Sequence, residues 1–153
     1  MSDGPYLFDV GVTAVAHAGT PVSEPALSYV RRAVRGEIDA VVPHASLFGA
    51  HVILTSYYGF TNDDAARVLT NFRDARRLCW YEGVSEGLLR DGLAVAADAN
   101  VDGWDGYYAQ VAQETGVATV LTLDDDLEGL GDFETEVVLS PDEFARLNEY
   151  MDR

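Results

Sequence analysis

Ala118-Thr119-Val120-Leu121-Thr122-Leu123-Asp124-Asp125-Asp126 decides the architecture. An apolar run of this length, opened after Gly116 and ended by carboxylates, reads as a buried parallel strand over residues 118–123. The opening of the chain has the same form. Tyr6-Leu7-Phe8 runs into Asp9, and residues 6–10 read as a first buried strand. A third carboxylate follows a tryptophan in Trp104-Asp105, at the start of the amphipathic stretch Gly106-Tyr-Tyr-Ala-Gln-Val-Ala-Gln-Glu-Thr115. Each acid stands where an ordered element begins or ends. In a parallel sheet the carboxyl ends of the strands gather at one edge, so such acids can converge there. A cluster of carboxylates with no basic residue nearby in sequence suits Mg²⁺ or Mn²⁺, which prefer hard oxygen donors.

Outward from these stretches, strands alternate with helices. Residues 11–18 form a short apolar helix. Ser23-Glu24-Pro25 is a helix start, Leu27, Val30 and Val34 carry the 3.6-residue period, and Gly36 closes it. Residues 40–42 read as a strand ending at Pro43. The segment 44–58 places Leu47, Ala50, His51, Leu54 and Tyr58 on one helical face, with Gly59 beyond its end. Thr61-Asn62-Asp63-Asp64 opens a further helix whose last turn is read to hold Arg73, Arg76 and Arg77. A short edge strand over 78–81, helices over 85–97 and 105–115, and a late strand over 136–139 follow. Ser140-Pro141-Asp142-Glu143 is a capping box before Phe144, Leu147 and Met151. The alternation predicts an α/β protein: three layers, α/β/α, around a mostly parallel sheet. No linker, repeat or low-complexity tract divides residues 1–153, which read as one domain.

The 153 residues carry 26 acids against 10 bases, a formal charge of −16, and every base is arginine. Such a composition suits a protein soluble in concentrated salt, as in a halophilic archaeon. There the Debye length falls to roughly 3 Å at 1 M and like charges stop repelling at a distance. The charge argues against a broad basic groove for duplex DNA, although a few arginines could still hold a single RNA strand. The single cysteine, Cys79, excludes an internal disulfide and fits a reducing cytoplasm. The start Met-Ser-Asp-Gly-Pro has no basic region or long apolar run, and nothing approaches a membrane span, so a soluble cytoplasmic protein is expected.

Several residues have two readings. Asp9 could cap the helix after it, and Asp105 sits where helix starts favour acids without any function. Asp124 could be a turn residue, and Asp102 reads as a solvated loop residue. His51 on an apolar face reads as a core histidine, His44 as a minor candidate for a compensating ligand, and His17 has no supporting context. Tyr57-Tyr58 could stack bases, though helical spacing puts one ring in the core. Trp104 reads as packing beside the site. Arg31, Arg32 and Arg35, like Arg73, Arg76 and Arg77, could bind phosphate or simply serve the helix dipole and ion pairs.

Taken together, Leu7-Phe8-Asp9, Trp104-Asp105-Gly-Tyr-Tyr-Ala-Gln-Val-Ala112 and Val120-Leu-Thr122-Leu-Asp124-Asp-Asp126-Leu127 resemble the PIN domain family over essentially the whole chain. The resemblance implies a Mg²⁺- or Mn²⁺-dependent endoribonuclease acting on single-stranded or structured RNA. Asp9, Asp105 and Asp124 would be its catalytic acids and metal ligands, and Asp126 an auxiliary ligand. It also implies partners: an antitoxin, if the chain is similar to VapC-type toxins, and a second copy in a homodimer. One departure is plain. The family's second acid, a Glu in the helix after the second strand, falls at about Gly49, and no Asp or Glu occurs between Asp39 and Asp63. Asp9-Val10-Gly11 also lacks the Asn or Thr often found after the first acid. The alternative function is therefore a catalytically impaired PIN-like module that binds RNA or protein. Two other likenesses fail. Asp124-Asp125-Asp126 resembles the motif of haloacid-dehalogenase-type phosphatases, but Glu128 replaces the expected Thr and the motif lies late in the chain. An EF-hand would need a Glu at its twelfth position, which is Thr135.

Overall fold

The computed structural model describes residues 4–152. Met1, Ser2 and Asp3, part of the stretch that reads as a start without a leader, lie outside the described residues. The elements run β1 (Tyr6–Phe8), α1 (Val10–Ala18), α2 (Glu24–Val34), β2 (Ala40–Pro43), α3 (His44–Tyr57), α4 (Asn62–Arg73), β3 (Cys79–Tyr81), α5 (Glu86–Ala99), α6 (Gly103–Thr115), β4 (Thr119–Thr122), β5 (Glu134–Val137) and α7 (Pro141–Met151). The sheet order is β3-β2-β1-β4-β5, and every neighbouring pair is parallel. Helices cover both faces, which is the three-layer α/β/α arrangement expected from the alternation.

The strands divide the core by their period of two. Leu7, Val41 and Val120 pack with Leu88 of α5 and Tyr108, Val111 and Ala112 of α6. Their successors Phe8, Val42 and Leu121 face the other way, against residues of α1 to α4 and Leu147 of α7. The register Leu7↔Val41 and Leu7↔Val120 keeps these sets in line across the three central strands. No helix among the described residues is long and apolar enough to cross a membrane.

Several element ends differ from the sequence reading, and four of the differences involve residues named above. The first strand stops at Phe8, because Asp9 caps a helix that already includes Val10. The helix expected from 105 starts at Gly103, with Asp102 as its N-cap, so Asp102 is a capping residue and not merely a loop acid. The late strand is Glu134–Val137, set by pairing Thr119↔Glu134; Leu139 leaves the sheet and is buried with α7's Leu147. The helix carrying Arg73 ends there, so Arg76 and Arg77 lie beyond it. Ser23 precedes its helix as expected, but its hydroxyl accepts the N–H of Thr20 instead of capping.

The strand order places the site. The chain leaves β1 for β2 on one side and returns to β4 on the other, so the order reverses at β1. In open α/β sheets, the crevice beyond the carboxyl ends of the strands at such a reversal is where ligands sit. Asp9 follows β1 directly, and Asp124 follows β4 by two residues.

Candidate functional site

Asp9 performs two tasks with one side chain. Its backbone is extended, and its Oδ1 accepts the N–H of Val12 at 2.8 Å, satisfying one of the free donors at the start of α1. Its own N–H donates to Leu121 O at 3.2 Å, joining it to β4. The residue is only 7% exposed. Burial lifts its carboxyl to about 6, against the pull of the Val12 and Gly11 N–H groups and the Thr122 hydroxyl; the charge of Asp124 adds to the lift.

Asp105 is the third residue of α6, and its N–H donates to Asp102 Oδ1 at 2.9 Å. It is also buried. Burial, then the charges of Asp102, Asp124, Asp126 and Asp9, raise its carboxyl to about 7. Asp124 and Asp126 lie in the exposed turn after β4, where Asp126 N–H donates to Asp124 Oδ1 at 3.0 Å. Asp126 is raised as well, chiefly by Asp124. The charges of Asp9, Asp124 and Asp126 all bear on Asp105, and no basic group is among the causes that raise Asp9, Asp105 and Asp126. Their donor chemistry, carboxylate oxygen alone, fits Mg²⁺ or Mn²⁺. Among the described residues, however, no group of three His, Cys, Asp or Glu side chains is arranged to hold an ion as it stands.

Thr122, named in the sequence only as part of the strand motif before Asp124, is a further member. It is buried at the end of β4, its hydroxyl stabilises the charged form of the Asp9 carboxyl, and Asp124 N–H approaches its Oγ1 at 3.5 Å. One hydroxyl thus links two of the acids. Beneath them, Ser46 Oγ and Tyr108 OH share a 2.6 Å hydrogen bond that ties the first turn of α3 to α6. No local pattern could have shown that pair, which is 62 residues apart in the chain.

The other candidates lie elsewhere. His44 is engaged by Arg73, the Trp80 ring and Glu82. With His51, Leu47 and Leu69 it lines an apolar cleft between α3 and α4, so neither histidine replaces the missing acid. His51 is a half-buried cleft residue bonded to Asn62 O at 3.2 Å, not a core histidine. His17 is packed on Phe72, with Nδ1 at 2.8 Å from Thr13 O. Arg31 pairs with Glu24, Arg32 lies over the Tyr29 ring, and Arg77 reaches Arg35 O. Tyr58 is buried, as helical spacing foretold for one ring of the pair, and Tyr57 is 57% exposed.

Gly49 is at the site, and the space a side chain would need there is taken. A Cβ on Gly49 would lie 2.8 Å from Val10 Cγ2 and 2.9 Å from Trp104 Cζ2. The indole of Trp104 fills the place where an acid on α3 would begin. Gly49→Glu is therefore expected to destabilise the fold by about 1–3 kcal/mol through overpacking. A double-mutant cycle with Trp104→Ala should show the two changes coupled by more than about 0.5 kcal/mol in urea unfolding. Additive costs would show that the indole is not the obstacle.

The raised carboxyls also set a pH dependence. Both fold with values above the ordinary 3.8, so between about pH 4 and 7 the folded chain holds protons that the unfolded chain has released. Stability then falls as pH rises through that window and stays reduced above it. In EDTA the melting temperature should be higher at pH 5 than at pH 7.5. Asp9→Asn should flatten that slope, while Asp91→Asn, on the exposed side of α5, should leave it unchanged. An unaltered slope in Asp9→Asn would refute the burial account.

No protein-family model matches the chain, and no curated protein does either. Among solved structures it is similar to the crystal structure of PAE2754 from Pyrobaculum aerophilum. The TM-score is 0.60 and the identity 20%, with 94% of this chain and 89% of that one covered. At that identity the likeness is one of fold. It extends over nearly the whole of both chains.

Proposed function

We propose that this chain is a PIN-like endoribonuclease that depends on Mg²⁺ or Mn²⁺. What supports the reading is that Asp9 and Asp124 follow the carboxyl ends of β1 and β4 at the reversal, and that the charges of Asp9, Asp124 and Asp126 all bear on Asp105. Like charges held together this way favour a cation between them. Asp9, Asp105 and Asp124 would be its ligands, with Asp126 auxiliary. Side-chain rotation would have to bring them to the roughly 2–2.6 Å that ion ligation requires. When bound, such an ion lowers the pKa of a coordinated water and neutralises charge on a phosphodiester. Thr122 would keep the Asp9 carboxyl oriented, and the Asp102 cap would fix the start of α6 and with it Asp105.

A second reading has its own observation. The space beside Gly49 is filled by Trp104, and no ready ion-binding group exists among the described residues. Both favour a PIN-like module that binds RNA or protein without turnover. An antitoxin partner or a homodimer rests on the family resemblance alone. The deciding experiment is RNA cleavage in concentrated KCl with Mn²⁺, comparing the wild type with Asp9→Asn, Asp105→Asn and an EDTA control. Equal residual cleavage in all of them would remove the nuclease reading and leave the binding module.

A further inference from the structure

Trp104 stands directly before Asp105 on the first turn of α6, yet the two are treated differently by the fold. Asp105 is 9% exposed and Trp104 is 37% exposed. About a third of the indole is thus open to solvent beside a buried acid.

The ring is braced on several sides. It stacks on Tyr108 with centroids 5.8 Å apart and planes at 20°, and it meets Tyr107 edge-on at 5.8 Å and 75°. Its six-membered ring abuts Gly49, where even a methyl group would have no room. Tyr108 is in turn buried and fixed by its bond to Ser46. The indole is therefore held in one orientation before any ligand arrives, so little side-chain entropy remains to be lost on binding.

The charge of the chain limits how such a surface could hold a nucleic acid. Affinity built on phosphate contacts falls steeply with salt, because it comes from counterion release. A protein with 26 acids, no lysine and a composition suited to concentrated salt has little of that term to draw on. Stacking of a base on an aromatic face does not depend on ionic strength in the same way, and every base has such a face. We infer that Trp104 is a stacking platform for one nucleobase of single-stranded RNA, positioning the adjoining phosphodiester at the acids beside it. This rests on the ribonucleic-acid reading of the site proposed above. Trp104 is in this sense a positioning residue, acting on substrate placement and not on the bond that breaks.

The test uses a short single-stranded oligoribonucleotide in concentrated KCl with EDTA, so that binding is read without cleavage. Trp104→Leu keeps an apolar side chain against Gly49 but removes the stacking face, and Trp104→Phe keeps a smaller one. Trp104→Leu should weaken binding roughly tenfold or more, and Trp104→Phe should remain within about threefold of the wild type. In a Trp80→Phe background Trp104 is the sole tryptophan, and its fluorescence should be quenched on binding. An oligomer with abasic sites throughout should lose both effects. Unchanged affinity in Trp104→Leu, no quenching, or no RNA binding by the wild type would each overturn the inference. So would sedimentation showing that Trp104→Leu dissolves a dimer while RNA affinity stays the same, because the ring would then be a subunit contact. The two levels separate cleanly. Mn²⁺-dependent cleavage with an unchanged KM in Trp104→Leu would overturn only the stacking role. Trp104-dependent binding without any cleavage would overturn the nuclease reading and leave the platform standing.

Discussion

Asp105→Asn should lower Mn²⁺-dependent RNA cleavage about a hundredfold or more while raising the melting temperature at pH 7.5 by several degrees. The two effects have opposite signs because they come from the same charge. In the absence of an ion, the Asp105 carboxylate is held in a buried position among the charges of Asp102, Asp124, Asp126 and Asp9. Removing its charge relieves that repulsion. Linkage places the gain at up to roughly 1–3 kcal/mol, which for a chain of this length is about 2–4 °C per kcal/mol. One term works against it. Asp105 lies in the first turn of α6, where the helix dipole favours an anion by about 0.3–1 kcal/mol. The lift of the carboxyl to about 7 shows that burial and repulsion outweigh the dipole. The loss of cleavage follows from the ligand role proposed for Asp105. An amide oxygen is a weaker, uncharged ligand, and disturbing even outer-shell partners of a metal ligand costs about 10–100-fold in affinity or activity. A change that merely damaged the fold would lower both quantities. Calorimetry in EDTA and a cleavage assay in Mn²⁺ on the same preparation decide the matter. Higher stability with unchanged cleavage would identify Asp105 as a strained but non-catalytic acid.

The legible part of this protein is the part governed by near neighbours in the chain. Tyr6-Leu7-Phe8 and the run before Asp124 announce buried strands, because a strand covered on both faces has to be apolar throughout. Asp9 was readable both as a cap and as a candidate ligand, and it does serve as the cap. Capping chemistry placed Ser140 at a helix start, and Thr61 and Ser85, at the openings of stretches read as helices, are caps as well; the bond from the cap to the third residue is local. The start of α6 was read at Asp105, with Asp102 left in the loop, and the helix begins two residues earlier. Asp102 and Asp105 are both good caps, three residues apart, and which one caps depends on where α6 lies against α5.

What stayed hidden depends on contacts across the chain. The register Thr119↔Glu134 moves the last strand two residues earlier than its apolar pattern suggested. The Ser46–Tyr108 bond and the Trp104 ring against Gly49 join α3 to α6, elements with no sequence relation. The strand order could be bounded by rule, but the position of Asp105 depends on the close packing of α6 against α5. That packing is the feature on which the site's geometry turns.

Gly106→Ala should therefore be the most damaging single methyl group that can be added near the site. Gly106 follows Asp105 on the buried face of α6, and a Cβ there would come within 2.0 Å of Gly92 O and 3.0 Å of Gly92 C on α5. Those atoms are backbone, so no rotamer change relieves the clash; one helix has to move. The facing glycine gives the control. A Cβ on Gly92 would meet Gly106 O at 3.3 Å and Tyr107 Cα at 3.4 Å, contacts that a shift of tenths of an ångström relieves. Alanine is also a better helix former than glycine by about 1 kcal/mol, a gain available at both positions. At Gly92 that gain offsets the crowding, and the net change should lie within about 1 kcal/mol of zero. At Gly106 the overlap dominates, and a loss of about 3 kcal/mol or more is expected, at the upper end of overpacking costs. The displaced helix carries Asp105 and Trp104 with it, so RNA binding should fall in Gly106→Ala even at temperatures where it remains folded. Urea unfolding of the two variants side by side measures the asymmetry. Equal losses at Gly92 and Gly106 would show that α5 and α6 are free to part, and the acids on α6 would then lack the fixed backing on which their convergence depends.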